Sequence, residues 1–177
     1  MKTLTEKDFR DMNWKNGKGR TLELIRLPHP KEEELFSLRL SIASMKESGP
    51  FSHYPGIERS IILLEGKGVV LDFVDEIKMN LNEPLKPIQF PGEAEIEAKL
   101  IDGPIREFNI MAARDCIEAY IQVHRKVPKI QLGGVDEHYC YIVEKNELIL
   151  LSPGEKCDLA SKDGLTVIDV KVKKKGP

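Results

Sequence analysis

Short runs of apolar residues, many alternating with polar ones, follow one another along this chain, and helical periodicity is scarce. β-type segments are read over residues 22–27, 35–43, 60–64, 69–74, 96–101 and 107–111, then over 117–123, 139–143, 148–151 and 166–172. Turn chemistry separates them at Leu27-Pro28-His29-Pro30, Ser48-Gly49-Pro50, Pro91-Gly92-Glu93, Asp102-Gly103-Pro104, Gly133-Gly134 and Ser152-Pro153-Gly154. Many short strands with such punctuation predict an all-β sandwich or barrel. One short helix is expected over residues 5–12, with Thr5 as N-cap and Asp8 three residues on as an imperfect capping box.

The pattern also repeats faintly. Leu63-Leu64-Glu65-Gly66 leads to Phe90-Pro91-Gly92-Glu93, and Ile142-Val143-Glu144 leads to Ser152-Pro153-Gly154-Glu155. Two Pro-Gly-Glu turns in matching places suggest two copies of one β-unit. The expected organisation is an N-terminal half over residues 1–111 and a degenerate C-terminal half over 112–177, two similar β-units packed as one compact unit with little helix.

The segment Gly49-Pro50-Phe51-Ser52-His53-Tyr54-Pro55-Gly56-Ile57-Glu58-Arg59, running into Ile61 to Gly68, has the layout of a cupin's first motif. A metal cupin would carry two histidines one residue apart in that loop and an acidic ligand at the strand start. This loop has only His53, and no histidine follows Phe90-Pro91-Gly92. A catalytic zinc or iron site wants about three converging protein ligands. His29, His53, His124 and His138 do not supply such a set, so no metal and no cofactor is expected.

Counting back from Gly66 places Arg59 where the acidic ligand would stand, whereas counting forward from His53 places Glu58 there. A guanidinium in a concave, partly dry mouth calls for a carboxylate or phosphate, because its planar fork matches two oxygens. An internal acid could answer it instead, and Glu23 and Asp102 are the candidates. Alternation sends Arg39 and Ser41 to one face of their strand and Leu38, Leu40 and Ile42 to the other. Alternation alone leaves open which face is inward. Trp14, the only tryptophan, precedes Lys15-Asn16-Gly17, a segment suited to folding over a ligand; Asn16 and Asn109 offer amide groups to the same space, or cap backbone.

Charge narrows the partners. With 32% charged residues and a net charge of −2, the chain lacks the basic patch of a nucleic-acid binder. Lys171, Lys173, Lys174 and Lys175 read as a solvated chain end. No apolar run has the length of a membrane helix, and no signal peptide is evident, so a cytoplasmic protein without membrane contact is expected. Cys116, Cys140 and Cys157 form no Cys-x-x-Cys pair; Cys116 and Cys140 read as buried, inert strand thiols.

Trp14-Lys15-Asn16-Gly17-Lys18-Gly19-Arg20-Thr21-Leu22-Glu23, Arg39 to Ala43, Gly49-Pro50-Phe51-Ser52 with Pro55-Gly56, Leu64-Glu65-Gly66-x-Gly68, Phe90-Pro91-Gly92 and Asp102-Gly103-Pro104 with Phe108-Asn109-x-Met111 resemble the HutD/Ves family. Lys18 and Arg20 depart from that family's glycine-rich segment. The resemblance implies a bicupin; one branch is encoded with histidine-degradation enzymes, the other is named as stress-induced, and neither brings an established reaction. The expected function is therefore non-enzymatic binding of a small anionic metabolite, sensing or limiting flux. Arg39 and Arg59 would clamp its carboxylate beside Ser41, Asn16 and Asn109 would hydrogen-bond its polar atoms, and Trp14 would close the mouth. The alternative is a cupin-type isomerase or hydrolase using His53 and Glu58 as acid and base, with or without a metal. Homodimerisation by sheet packing stays open.

Overall fold

The computed structural model describes every residue except Glu33, Glu76 and Pro177. Its strands are β1 (Lys2–Leu4), β2 (Arg10–Asn13), β3 (Gly19–Pro28), β4 (Phe36–Met45), β5 (Gly49–Pro50), β6 (Ile57–Glu65), β7 (Val69–Phe73), β8 (Lys78–Leu81), β9 (Pro87–Pro91), β10 (Ile96–Leu100), β11 (Ile105–Ala113), β12 (Ile117–Gly133), β13 (Glu137–Ile142), β14 (Glu147–Leu151) and β15 (Lys156–Lys174). A single 3₁₀ turn, Val143–Lys145, is the one helical element among the described residues. No helix there is long and apolar enough to cross a membrane.

The expected helix over residues 5–12 does not form. Asp8 does reach back, accepting from the Thr5 N–H at 2.9 Å, and the Asp8 N–H donates to the Thr5 carbonyl at 2.8 Å. These bonds close an isolated turn. The chain then enters β2, whose residues pair with β3 from Arg10↔Glu23 to Asn13↔Arg20. Ladder bonds to a neighbouring strand outweigh a capping preference too short to nucleate a helix.

The chain divides between Cys116 and Ile117 into two compact units, with Met1–Phe9 joining the later segment; Met111, where the two halves were divided in the sequence, lies inside β11. The unit Arg10–Cys116 holds two antiparallel sheets, β2-β3-β4-β11-β6-β9 and β5-β10-β7-β8. Met45, Ile61, Leu63, Phe90 and Ile105 of the first pack with Val69, Leu71, Leu81, Ile96 and Ala98 of the second. The same inner face turns polar towards one end. β6 passes from Leu63 and Ile61 to Arg59, β4 from Met45 and Ala43 to Ser41 and Arg39, and β11 from Glu107 through Asn109 to Met111. Side chains two apart share a face, so this gradient is written directly in the alternation. The opposite face of β4, with Leu38, Leu40 and Ile42, is also buried.

The other unit is one sheet, β1-β14-β13-β15-β12. β12 and β15 form a long ribbon from Ile117↔Lys174 to Gly133↔Lys156, with register shifts between His124 and Lys129. Pro128, which has no N–H to donate, falls within the irregular stretch. Gly164 has φ +74°, and a Cβ there would lie 2.6 Å from the Lys126 carbonyl oxygen. Beyond this bend Leu132 and Leu159 pack with Cys140, Ile142, Ile149 and Leu151. Cys140 is buried in β13 as expected, but Cys116 lies in the turn after β11 and is half-buried.

Candidate functional site

At the polar end of the first unit lies a cavity of about 470 Å³, of a size that suits a small molecule. Its walls include Trp14, Asn16, Arg39, Ser41, Arg59, Glu107 and Asn109. The register explains the convergence. Met111 on β11 is opposite both Arg39 on β4 and Arg59 on β6, and Asn109 is opposite Ser41. Six residues singled out from the sequence, Trp14, Asn16, Arg39, Ser41, Arg59 and Asn109, thus surround one space.

The two arginines are in different electrostatic situations. Arg39 donates from Nε to Glu23 Oε2 at 2.6 Å, and both side chains are only slightly exposed. Arg59 is 5% exposed, and among the described residues no carboxylate lies within ion-pair distance of it. Its Nη2 donates to the neutral Asn109 Oδ1 at 3.0 Å, its Nη1 makes a long contact to the Ser52 carbonyl at 3.4 Å, and its Nε is buried without a hydrogen-bond partner. The rings of Phe51, Phe90 and Tyr54 lie 5.0, 5.2 and 5.7 Å from the guanidinium carbon. Such faces attract a cation but do not neutralise it. Burial lowers the Arg59 pKa, against the opposing pull of Glu107.

Glu107 was not singled out from the sequence. It is 3% exposed; Asn109 Nδ2 donates to its Oε1 at 3.0 Å, while Oε2 has no partner. Burial raises its pKa above the usual carboxylate range, with the Asn109 hydrogen bond and the Arg59 charge opposing. Asn109 therefore couples the two buried ionisable groups through one amide. The alternation Glu107, Asn109, Met111 against Phe108 and Ile110 was the available signal. Of the internal partners expected for Arg59, Glu23 is engaged by Arg39 instead, and Asp102 is exposed in a turn.

Trp14 Nε1 donates to Thr21 Oγ1 at 2.9 Å, which fixes the indole on the cavity wall. A Cβ at Gly19 would come within 2.9 Å of that ring and 2.5 Å of the Ser44 carbonyl oxygen, so the glycine admits the indole. Asn16 Oδ1 accepts from the Lys18 N–H at 3.0 Å, closing the turn, and its amide nitrogen remains available. Lys18 and Arg20 make contacts elsewhere, Lys18 Nζ to the Ser48 carbonyl and Arg20 to Asp11.

His53 and Glu58 do not meet in this cavity. His53 is exposed and borders a separate hollow with Phe73, Val74 and Ala94. Glu58 precedes Arg59 on β6, so it faces the other way, and Arg114 holds it at 3.6 Å. His138 is paired with Asp169, not with His124.

Two stacked sheets with a cavity at their polar end, followed by a second β-unit, define a bicupin with arginine on the cavity wall. The chain belongs to the HutD family, linked to histidine utilisation: the family model HutD matches residues 6–174. A conserved protein of unknown function from Pseudomonas aeruginosa PAO1 is similar over 99% of both chains, at 27% identity and TM-score 0.81. HutD from Pseudomonas fluorescens SBW25, determined in a formate condition, is similar over 99% of both chains at 27% identity and TM-score 0.79. Hazelnut (Corylus avellana) vicilin shares the bicupin fold at 8% identity, with TM-score 0.63 over 97% of this chain and 87% of that one.

Proposed function

We propose that this protein binds a small carboxylate metabolite in the arginine-lined cavity, without turning it over, and reports or limits the flux of histidine breakdown. One observation carries the reading. Arg59 is a buried cation on a cavity wall with no acid in ion-pair contact among the described residues, and its guanidinium donates only to the neutral Asn109 amide and, at longer range, to the Ser52 carbonyl. An unanswered buried charge is costly, and a bound carboxylate would remove that cost.

Arg39, already paired with Glu23, supplies field and shape, while Arg59 is the primary anchor. Glu107 in its neutral form would leave the positive charge uncancelled and offer a proton to a ligand oxygen. Asn16 and Ser41 suit the ligand's remaining polar atoms, and Trp14 covers its apolar body. Urocanate and formimino- or formyl-glutamate fit the family's setting. A thermal-shift screen against these compounds, formate and acetate tests the reading, since a ligand at a hundred times its Kd adds about 2.7 kcal/mol of apparent stability. A concentration-dependent rise in Tm for a carboxylate supports it; no response across the panel contradicts it.

A further inference from the structure

His138, Cys140 and Asp169 form a second cluster, in the unit that does not contain the cavity. His138 and Cys140 are two apart on β13 and share a face, and Asp169 on β15 is the register partner of Cys140. All three are buried, at 8, 0 and 8% exposure. His138 Nδ1 lies 2.9 and 3.0 Å from the two Asp169 oxygens, and Cys140 Sγ lies 3.4 Å from Oδ1.

One carboxylate thus receives both an imidazole and a thiol. We propose that these three side chains are a binding site for a thiophilic divalent cation of the Zn²⁺ type. In a tetrahedral zinc site with ordinary Zn–N, Zn–O and Zn–S lengths, ligand atoms are separated by roughly 3.3–3.6 Å. The separations from Asp169 to the imidazole and to the thiol need to open by only a few tenths of an ångström, and all three ligand atoms lie within 4.8 Å of one another. Charge balance agrees: a carboxylate and a thiolate cancel a dication, leaving no net charge in the core. Burial, with the Asp169 carboxylate beside it, holds the Cys140 thiol protonated in the metal-free protein. On binding, the Cys140 S–H bond breaks and its proton leaves to solvent as the sulfur–metal bond forms. The Nδ1 proton of the neutral imidazole is lost and one is gained at Nε2, so one proton is released per ion.

The comparable trio His29, Asp115 and Cys116 is built differently. The Lys31 N–H donates to His29 Nδ1 at 3.3 Å, which commits the Nε2 facing Asp115 to carrying the proton. Asp115 is moreover 61% exposed in its side chain. That trio is a hydrogen-bonded loop clasp.

Titration of the chelator-treated full-length protein with Co²⁺, followed by absorption spectroscopy, tests the site. The expected result is saturation at one equivalent, with tetrahedral d–d bands and thiolate-to-cobalt charge transfer, and displacement by Zn²⁺. Cys140→Ala should lose the charge-transfer band and weaken binding at least tenfold. Asp169→Asn keeps the shape and a hydrogen-bond acceptor for His138, so it tests the anionic ligand in a chain that folds; it too should bind at least tenfold more weakly. His29→Ala should titrate as the parent does. Absence of saturable Co²⁺ and Zn²⁺ uptake by the parent, or uptake unchanged in Asp169→Asn, overturns the proposal.

Discussion

Arg39 and Arg59 stand in one register row on either side of Met111, about 10 Å apart at Cα by the usual strand spacing, and among the described residues only Arg39 is ion-paired with an acid. Two like charges lining one cavity raise its affinity for anions. Their pairing is unequal: Arg39 contributes to the fold through Glu23, and in the proposed function Arg59 is the group that a ligand carboxylate would answer.

That division sets opposite expectations for two matched substitutions in the absence of ligand. Arg39→Met strands the slightly exposed Glu23 carboxylate, which should cost about 1–3 kcal/mol. Arg59→Met removes a desolvated cation that has no ion pair, and its urea midpoint should equal or exceed that of the parent. Equilibrium urea unfolding distinguishes the two; a loss at Arg59 as large as that at Arg39 would mean that Arg59 is structurally paired.

Glu107 gives a pH signature. Its folded-state pKa is raised by burial, so the stability it contributes is full below its unfolded pKa and is lost as pH rises through the folded value. Glu107→Gln cannot lose that increment. The stability of the parent relative to Glu107→Gln should therefore fall as pH rises from acid to neutral, whatever the offset between them. A stability difference independent of pH, from parallel denaturation series, would rule out the shift.

Gly19 is where the indole and the backbone pass closest. Gly19→Ala sets a methyl 2.9 Å from the Trp14 ring and 2.5 Å from a backbone oxygen. Overpacking of this kind should cost about 1–3 kcal/mol and move the indole off the cavity wall. Because Trp14 is the only tryptophan, its fluorescence reports this without ambiguity: a red shift and easier quenching by iodide are expected. An unshifted spectrum would show that the indole does not depend on the glycine.

Much of this architecture was legible because alternation is local. Leu38, Leu40 and Ile42 against Arg39 and Ser41 separated the two faces of β4, whereas the counts from Gly66 and from His53 left Arg59 and Glu58 as alternatives for the inward position on β6. The short strands β1, β5 and β8 carry too few residues for a pattern, and β9 is bounded by Pro87 and Pro91; each is held by pairing with a neighbour. β12 and β15 run on through Pro128 and a charged stretch because the ribbon supplies its own partner. The pairing of acids with arginines was not legible either. Glu23 is the register partner of Ser41 and so lies diagonal to Arg39 on the same face, a feature of two strands that neither sequence states alone. Glu107 opens its strand run next to Arg106, where it passes for a solvated charge.

The central claim is tested most directly by isothermal titration of urocanate and N-formylglutamate into the parent and into Arg59→Ala at neutral pH. The account expects saturable one-to-one binding of at least one of them to the parent, and a loss of at least about a hundredfold in affinity in the variant while its circular dichroism is unchanged. Equal affinity in the two proteins would contradict it.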